Sequence, residues 1–156
     1  MPIKITLGQL IDARPVLDKL LKMTFSISVS YQLSRRMRVI KPELDAYDQK
    51  QNDLVKELGN PVPNEPDKVG ISTTILDPET KVIKINPSWS EFLKKRTELL
   101  SVEVNLEVDP IQLKDLTPLP YSKDCPKCGA KVGDVPETGP TGQDLYLLGP
   151  LLADPQ

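Results

Sequence analysis

From Ser30 to Leu58 the chain repeats Leu33, Met37, Ile40, Leu44, Tyr47, Gln51, Leu54 and Leu58 in alternating steps of four and three, with Gln51 the one polar member. This spacing puts all eight on one helical face, and a continuous helix of that length spans about 40 Å. Such a stripe must be covered, either by a second copy in a coiled coil or by other helices of the same chain. Residues 7–22 and 88–100 carry aliphatic faces that also need a partner, so packing within the chain is expected. Pro42 interrupts the seam. A proline inside a helix costs about 3 kcal/mol and bends it, which predicts a kink near residues 38–42 or two stacked helices. Gly59, Asn60 and Pro61 read as a left-handed stop followed by a proline.

Thr6 is the expected N-cap of the first helix, which Pro15 kinks or restarts. The serines and β-branched residues of "MTFSISVS" break the helical pattern and read as a connection. Residues 60–69, with three prolines, read as an exposed loop. Ile71, Thr73 and Ile75 alternate before "DPET", and Val82 to Ile85 return, which predicts a hairpin. Ser88 and Glu91 have capping-box spacing and open a helix to about Leu100. Val102, Val104, Leu106 and Val108 alternate with Glu103, Asn105, Glu107 and Asp109, the pattern of a half-buried strand. The Leu-rich end, from Leu145 to Leu152, predicts a short helix docked on the body. Together these elements predict one α+β domain over residues 1–156: a long kinked helix packed with two others, beside a small antiparallel sheet made of the hairpin and the strand.

With 20 basic and 22 acidic residues the chain carries a formal charge of -2, so no overall field draws it to nucleic acid or anionic lipid. No apolar run approaches the roughly 20 residues that cross a bilayer, and the first residues lack a signal-peptide pattern. A cytoplasmic protein without a membrane role is expected. The chain has no histidine, which removes the Ser-His and Cys-His nucleophile arrangements, and no phosphate-cradling glycine loop. The alternating acids Glu103, Glu107 and Asp109 read as the wet face of a strand. The reading is therefore a non-enzymatic protein.

Two clusters remain as candidate sites. Cys125 and Cys128 stand in "DCPKCGAK", a Cys-Pro-x-Cys-Gly knuckle that offers two thiolates from a tight turn. A structural zinc takes four ligands, and the sequence has 2 cysteines and no histidine. The metal would need a second copy, a partner, or carboxylates such as Asp124 or Asp134; otherwise the knuckle is a metal-free remnant. Thiol redox chemistry lacks the βαβ setting it usually has. The second cluster is Arg35, Arg36, Arg38 and Lys41, near the expected start of the long helix. It is a candidate contact for phosphate or an acidic partner, or a solvated face balanced by Glu43, Asp45 and Asp48.

The stretches "SRRMRVIKPELDAYDQKQNDLVKELG" at 34–59 and "EFLKKRTELLSVEVNLEVDPIQLKDL" at 91–116 carry a resemblance. The chain resembles a family of small proteins of tailed bacteriophages and prophages, a domain family of unknown function. In that family a Leu-rich first helix leads through a basic turn into a long helix, then an "F-x-K-x-R-x-E-L-L-x-x-E-V" stretch and an alternating strand. Residues 121–142 depart from the pattern and read as a knuckle or loop insertion. The family supplies no catalytic residues. The resemblance implies a phage protein that acts by protein–protein contact in the infected bacterial cytoplasm or in the virion. It would serve as a virion or assembly component, or as an inhibitor of a host process such as defence or transcription. The alternative is a nucleic-acid-binding module built from the Arg35 to Lys41 patch and a zinc-stabilised knuckle.

Native mass spectrometry with and without a chelator tests the half-site. Completion across a symmetric pair gives one zinc per two chains and dissociation on chelation. A metal-free monomer leaves a remnant, or a knuckle completed by another protein.

Overall fold

The computed structural model describes residues 2–62, 65–116, 123–124, 131–132 and 139–153. Its first element is a strand, β1 (Ile3–Thr6), where the sequence predicts none. β1 runs straight into helix α1 (Leu7–Lys22), and Thr6 caps that helix as expected. The Thr6 hydroxyl accepts from the Gln9 amide at 3.2 Å while the Gln9 side chain accepts from the Thr6 amide at 3.0 Å, a reciprocal box the sequence reading did not identify. Leu7, Leu10, Ala13, Val16, Leu17 and Leu20 are buried along one stripe of α1, so this helix forms the centre of the core.

Helix α2 (Ile27–Leu58) begins earlier than the pattern predicts, because the Ser26 hydroxyl accepts from the Val29 amide and starts the helix inside "MTFSISVS". It is one helix, not two stacked ones. Pro42 and Pro15 both lie on exposed faces within unbroken helices, where water can satisfy the carbonyl one turn back. Leu33, Ile40, Leu44 and Tyr47 are buried, and Met37, Gln51, Leu54 and Leu58 are half-buried, so the predicted seam faces the core. Gln51 keeps its place in the stripe by accepting the Tyr47 hydroxyl proton, one turn back. α2 packs on α1 and on α3 (Pro87–Leu100), and Arg14 of α1 meets Asp48 of α2 at 2.9 Å.

Gly59 ends α2, but with φ −81° and ψ 170° it is extended, not left-handed. Its need for glycine is steric. A Cβ there would stand 2.3 Å from the Val55 carbonyl oxygen and 2.7 Å from that of Gly70. Gly70 belongs to β3 (Glu65–Gly70), which pairs antiparallel with β2 (Asn60–Val62), so the stretch expected to be a loop carries a short ladder.

The predicted hairpin is present as β4 (Thr74–Leu76) and β5 (Ile83–Ile85). The strand expected at 102–108 is β6 (Glu103–Leu106), and it does not join that hairpin. It pairs antiparallel with β1, from Ile3 opposite Leu106 to Thr6 opposite Glu103. The expected single sheet is thus replaced by separate two-stranded ladders. The cap of α3 is Asn86, not Ser88: its side chain accepts from the Ser88 amide at 3.0 Å, with Pro87 at the first helical position.

After β6 the chain makes a 3-10 turn at Leu113–Leu116. A two-residue ladder, β7 (Lys123–Asp124) with β8 (Lys131–Val132), follows. Helix α4 (Gly142–Leu148) and a second 3-10 turn at Gly149–Leu151 then dock as expected, burying Leu148 and Leu151. Ile111 holds this segment in register, receiving the Ala153 amide at 3.0 Å and donating to the Leu151 carbonyl at 2.8 Å. The described residues are mixed α+β, and no helix among them is long and apolar enough to cross a membrane.

Asp144 joins α4 to α1 through the ammonium of Lys19 and closes a capping box with Thr141. The Lys19 ammonium and the Thr141 amide hold the Asp144 carboxyl below its ordinary value. A carboxyl depressed by folding contributes stability above its unfolded value of about 4 and loses it as pH falls through the folded value. Protection of the Leu145 to Leu148 amides, the observed hydrogen exchange relative to the intrinsic rate at each pH, should therefore fall on acidification below about pH 4. In Asp144→Asn that acid-dependent step should be absent.

Candidate functional site

Two surface features bear on function, and the first includes Arg35 and Arg36 of the predicted basic cluster. An open groove of about 500 Å³ lies between α2 and the end of β6, lined by Gln32, Arg35, Arg36 and Val39 on one side and Glu107 and Asp109 on the other. Because α2 starts at Ile27, Arg35 stands two turns inside the helix, beyond the first turn where its charge would oppose the macrodipole. The four basic residues do not act together. Arg36 turns towards the body and donates from Nε to the Asp109 carbonyl at 2.8 Å and from Nη2 to the Pro110 carbonyl at 3.1 Å. Arg35 lines the groove that Glu107 and Asp109 also line, while Arg38 and Lys41 are exposed along α2. The groove is therefore of mixed charge, and one of its guanidiniums fastens α2 to the chain that leaves β6.

The second feature is the β4–β5 hairpin. It is anchored at its root by Asn86, which is 2% exposed. The Asn86 amide donates to the Thr73 carbonyl at 2.8 Å, its side-chain nitrogen donates to the Ser72 carbonyl at 2.9 Å, and its side-chain oxygen caps α3. At the tip, one Asp77 carboxylate oxygen accepts from the Glu79 and Thr80 amides and the other pairs with Lys84. These bonds hold the Asp77 carboxyl below its ordinary value, the Lys84 ammonium contributing most. Lys81 closes the turn with a φ of 55°, its amide donating to the Asp77 carbonyl at 2.9 Å. Between root and tip, Leu76 is 63% exposed, Val82 54%, Ile83 71% and Ile85 82%. Scattered apolar residues at a surface are ordinary, but Leu76, Ile83 and Ile85 share one face of this two-stranded unit and form a patch that asks for an occupant, with Val82 on the opposite face. The sequence reading recognised this hairpin without naming its residues as a site. The signal was available in Ile83-Lys84-Ile85, whose isoleucines share a face that would be buried only if another layer lay against it.

Cys125 and Cys128, and most of the predicted insertion at 121–142, lie outside the described residues. Among the described residues no group of three or more His, Cys, Asp or Glu could hold a metal ion. Glu103, Glu107 and Asp109 are exposed, as the alternation predicts. Compared with known protein families, curated proteins and solved structures, the chain matches none.

The different environments of the arginines make an expected outcome. Arg36→Met removes two charge-assisted bonds to backbone carbonyls and should lower stability in urea unfolding by about 1–3 kcal/mol. Arg35→Met and Arg38→Met should stay within about 0.5 kcal/mol of the parent.

Proposed function

We propose that this chain is a non-enzymatic protein of phage origin that works by binding a protein partner, in the infected cytoplasm or in the virion. The observation that carries the proposal is the hairpin, bonded at root and tip, with Leu76, Ile83 and Ile85 exposed on one face. An aliphatic patch of this kind is suited to a protein surface and offers nothing to a phosphate backbone. The phage origin is supported by the resemblance of residues 34–59 and 91–116. Phosphate binding by the basic cluster is the weaker reading, because Arg36 is engaged with the Asp109 and Pro110 carbonyls and Arg35 lines a groove that Glu107 and Asp109 also line. Whether the role lies in assembly or against a host process depends on the partner.

Photo-crosslinking tests the proposal directly. With a photoreactive residue at position 85 of the full chain, expressed in the host during infection, a discrete protein adduct is expected, and Ile83→Lys should abolish it. A photoreactive residue at the exposed Lys50 position should give none. Adducts to nucleic acid, or none at position 85, would overturn the reading.

A further inference from the structure

We infer that the outer face of the first half of α2, from Ile27 to Arg38, is a further contact surface, which takes an acidic helix of a protein partner. It includes no residue of the hairpin and stands or falls separately from it. Ile27, Tyr31, Arg35 and Arg38 follow one another in steps of four, four and three, so they share one stripe of the helix. That stripe lies on the side away from the buried Leu33, Ile40, Leu44 and Tyr47. At its start Ile27 is 91% exposed and Tyr31 61%, and Arg35 and Arg38 are exposed beyond them.

The charge of this part of the chain is one-sided. From Lys19 to Lys41 the sequence carries Lys19, Lys22, Arg35, Arg36, Arg38 and Lys41 and no Asp or Glu. The fold uses two of these cations: Lys19 pairs with Asp144, and Arg36 binds the Asp109 and Pro110 carbonyls. Of the acids further along α2, Asp48 pairs with Arg14 instead. Among the described residues Arg35, Arg38 and Lys41 make no ion pair. Two unpaired guanidiniums therefore stand one to two turns beyond two exposed apolar side chains, an arrangement that the packing of α2 does not call for.

Charge complementarity selects the occupant. A matching surface sets carboxylates over Arg35 and Arg38 and apolar side chains over Ile27 and Tyr31, about 12 Å along the axis. A helix running antiparallel to α2, acidic in its first turns and apolar after them, provides both, and its own macrodipole favours acids at that end. A run of phosphates gains nothing from Ile27, and on reaching Arg35 it meets Glu107 and Asp109, which line the same groove. A bilayer surface needs apolar residues along the whole stripe, and beyond Tyr31 this one continues through Arg35, Arg38 and Pro42. A second copy meeting it through its own α2 matches only the charge. That helix exposes Asp45 and Asp53, but Ala46, Gln49 and Lys56 beside them leave no large apolar side chain for Ile27 and Tyr31.

The probe is the capped peptide "SEEAAEEALAALLA", whose acids precede its leucines on one helical stripe, titrated into the isotope-labelled full chain and followed by NMR. Shifts are expected at Ile27, Tyr31, Arg35 and Arg38, and the copy "SQQAAQQALAALLA" should bind at least about threefold more weakly. Arg38→Glu and Tyr31→Ser should each weaken the acidic peptide by a similar factor, whereas Lys50→Glu, a charge reversal elsewhere on α2, should leave it unchanged. Equal binding by the two peptides, shifts confined to other surfaces, or no shift at millimolar peptide would overturn the inference. Tighter binding of a short DNA duplex at the same residues in about 150 mM salt would overturn it in favour of nucleic acid. A dimer in sedimentation that Arg38→Glu dissociates would also overturn it, making a second copy the occupant.

Discussion

The ladder between β1 and β6 joins residues far apart in sequence, and it directs α1 into the middle of the molecule. Thr6 serves as both the last residue of β1 and the cap of α1, so no loop separates strand from helix. The Leu7 amide extends the pairing by one step, donating to the Val102 carbonyl at 2.9 Å. This sets where α1 crosses the end of α3, at an approach close enough that a Cβ on Gly8 would lie 3.2 Å from the Leu100 carbonyl. Closing so long a loop costs entropy before any contact forms, and four strand pairs alone would not offset it. Burial of the α1 stripe does: each fully buried aliphatic side chain is worth about 1.5–3 kcal/mol, and α1 contributes to contacts with α2, α3 and α4 alike.

Helix α2 divides its length between two tasks. Its seam covers α1 and α3, with Tyr47 and Gln51 satisfying each other where a polar residue enters the stripe. Its opposite face carries most of its charge, which explains how a seam with coiled-coil spacing can be satisfied within one chain. Arg36 lies at the boundary and binds carbonyls just past β6, so a residue that reads as part of a basic surface patch is part of the packing.

The elements that could be read from the sequence are those whose signal is local. The α2 seam, the Thr6 cap, the hairpin around "DPET" and the alternating strand after Leu100 all depend on neighbours within a few residues. What could not be read depends on distant partners. Ile3 to Thr6 are too few to show a period, and only Leu106 to Glu103 opposite make them a strand. Gly59 looks like a left-handed stop, but it is extended, and a Cβ there would meet the Gly70 carbonyl of β3 at 2.7 Å as well as the Val55 carbonyl at 2.3 Å. Ser88 and Glu91 have the spacing of a cap, yet Asn86 is the cap because the same side chain is also needed to bind Ser72. The basic cluster was legible as residues, and its division into one anchor and three surface groups was not, since that depends on where Pro110 falls.

The hairpin is stabilised differently from the helical core. Its order comes from polar bonds at both ends, Asn86 at the root and Asp77 at the tip, while its apolar side chains contribute almost nothing to the core. A hairpin isolated in this way is marginal in water unless its ends are fixed. With the ends fixed, residues between them can change without loss of the fold, because no core neighbour is disturbed. Exposed isoleucines at such positions therefore do not serve the stability of the chain.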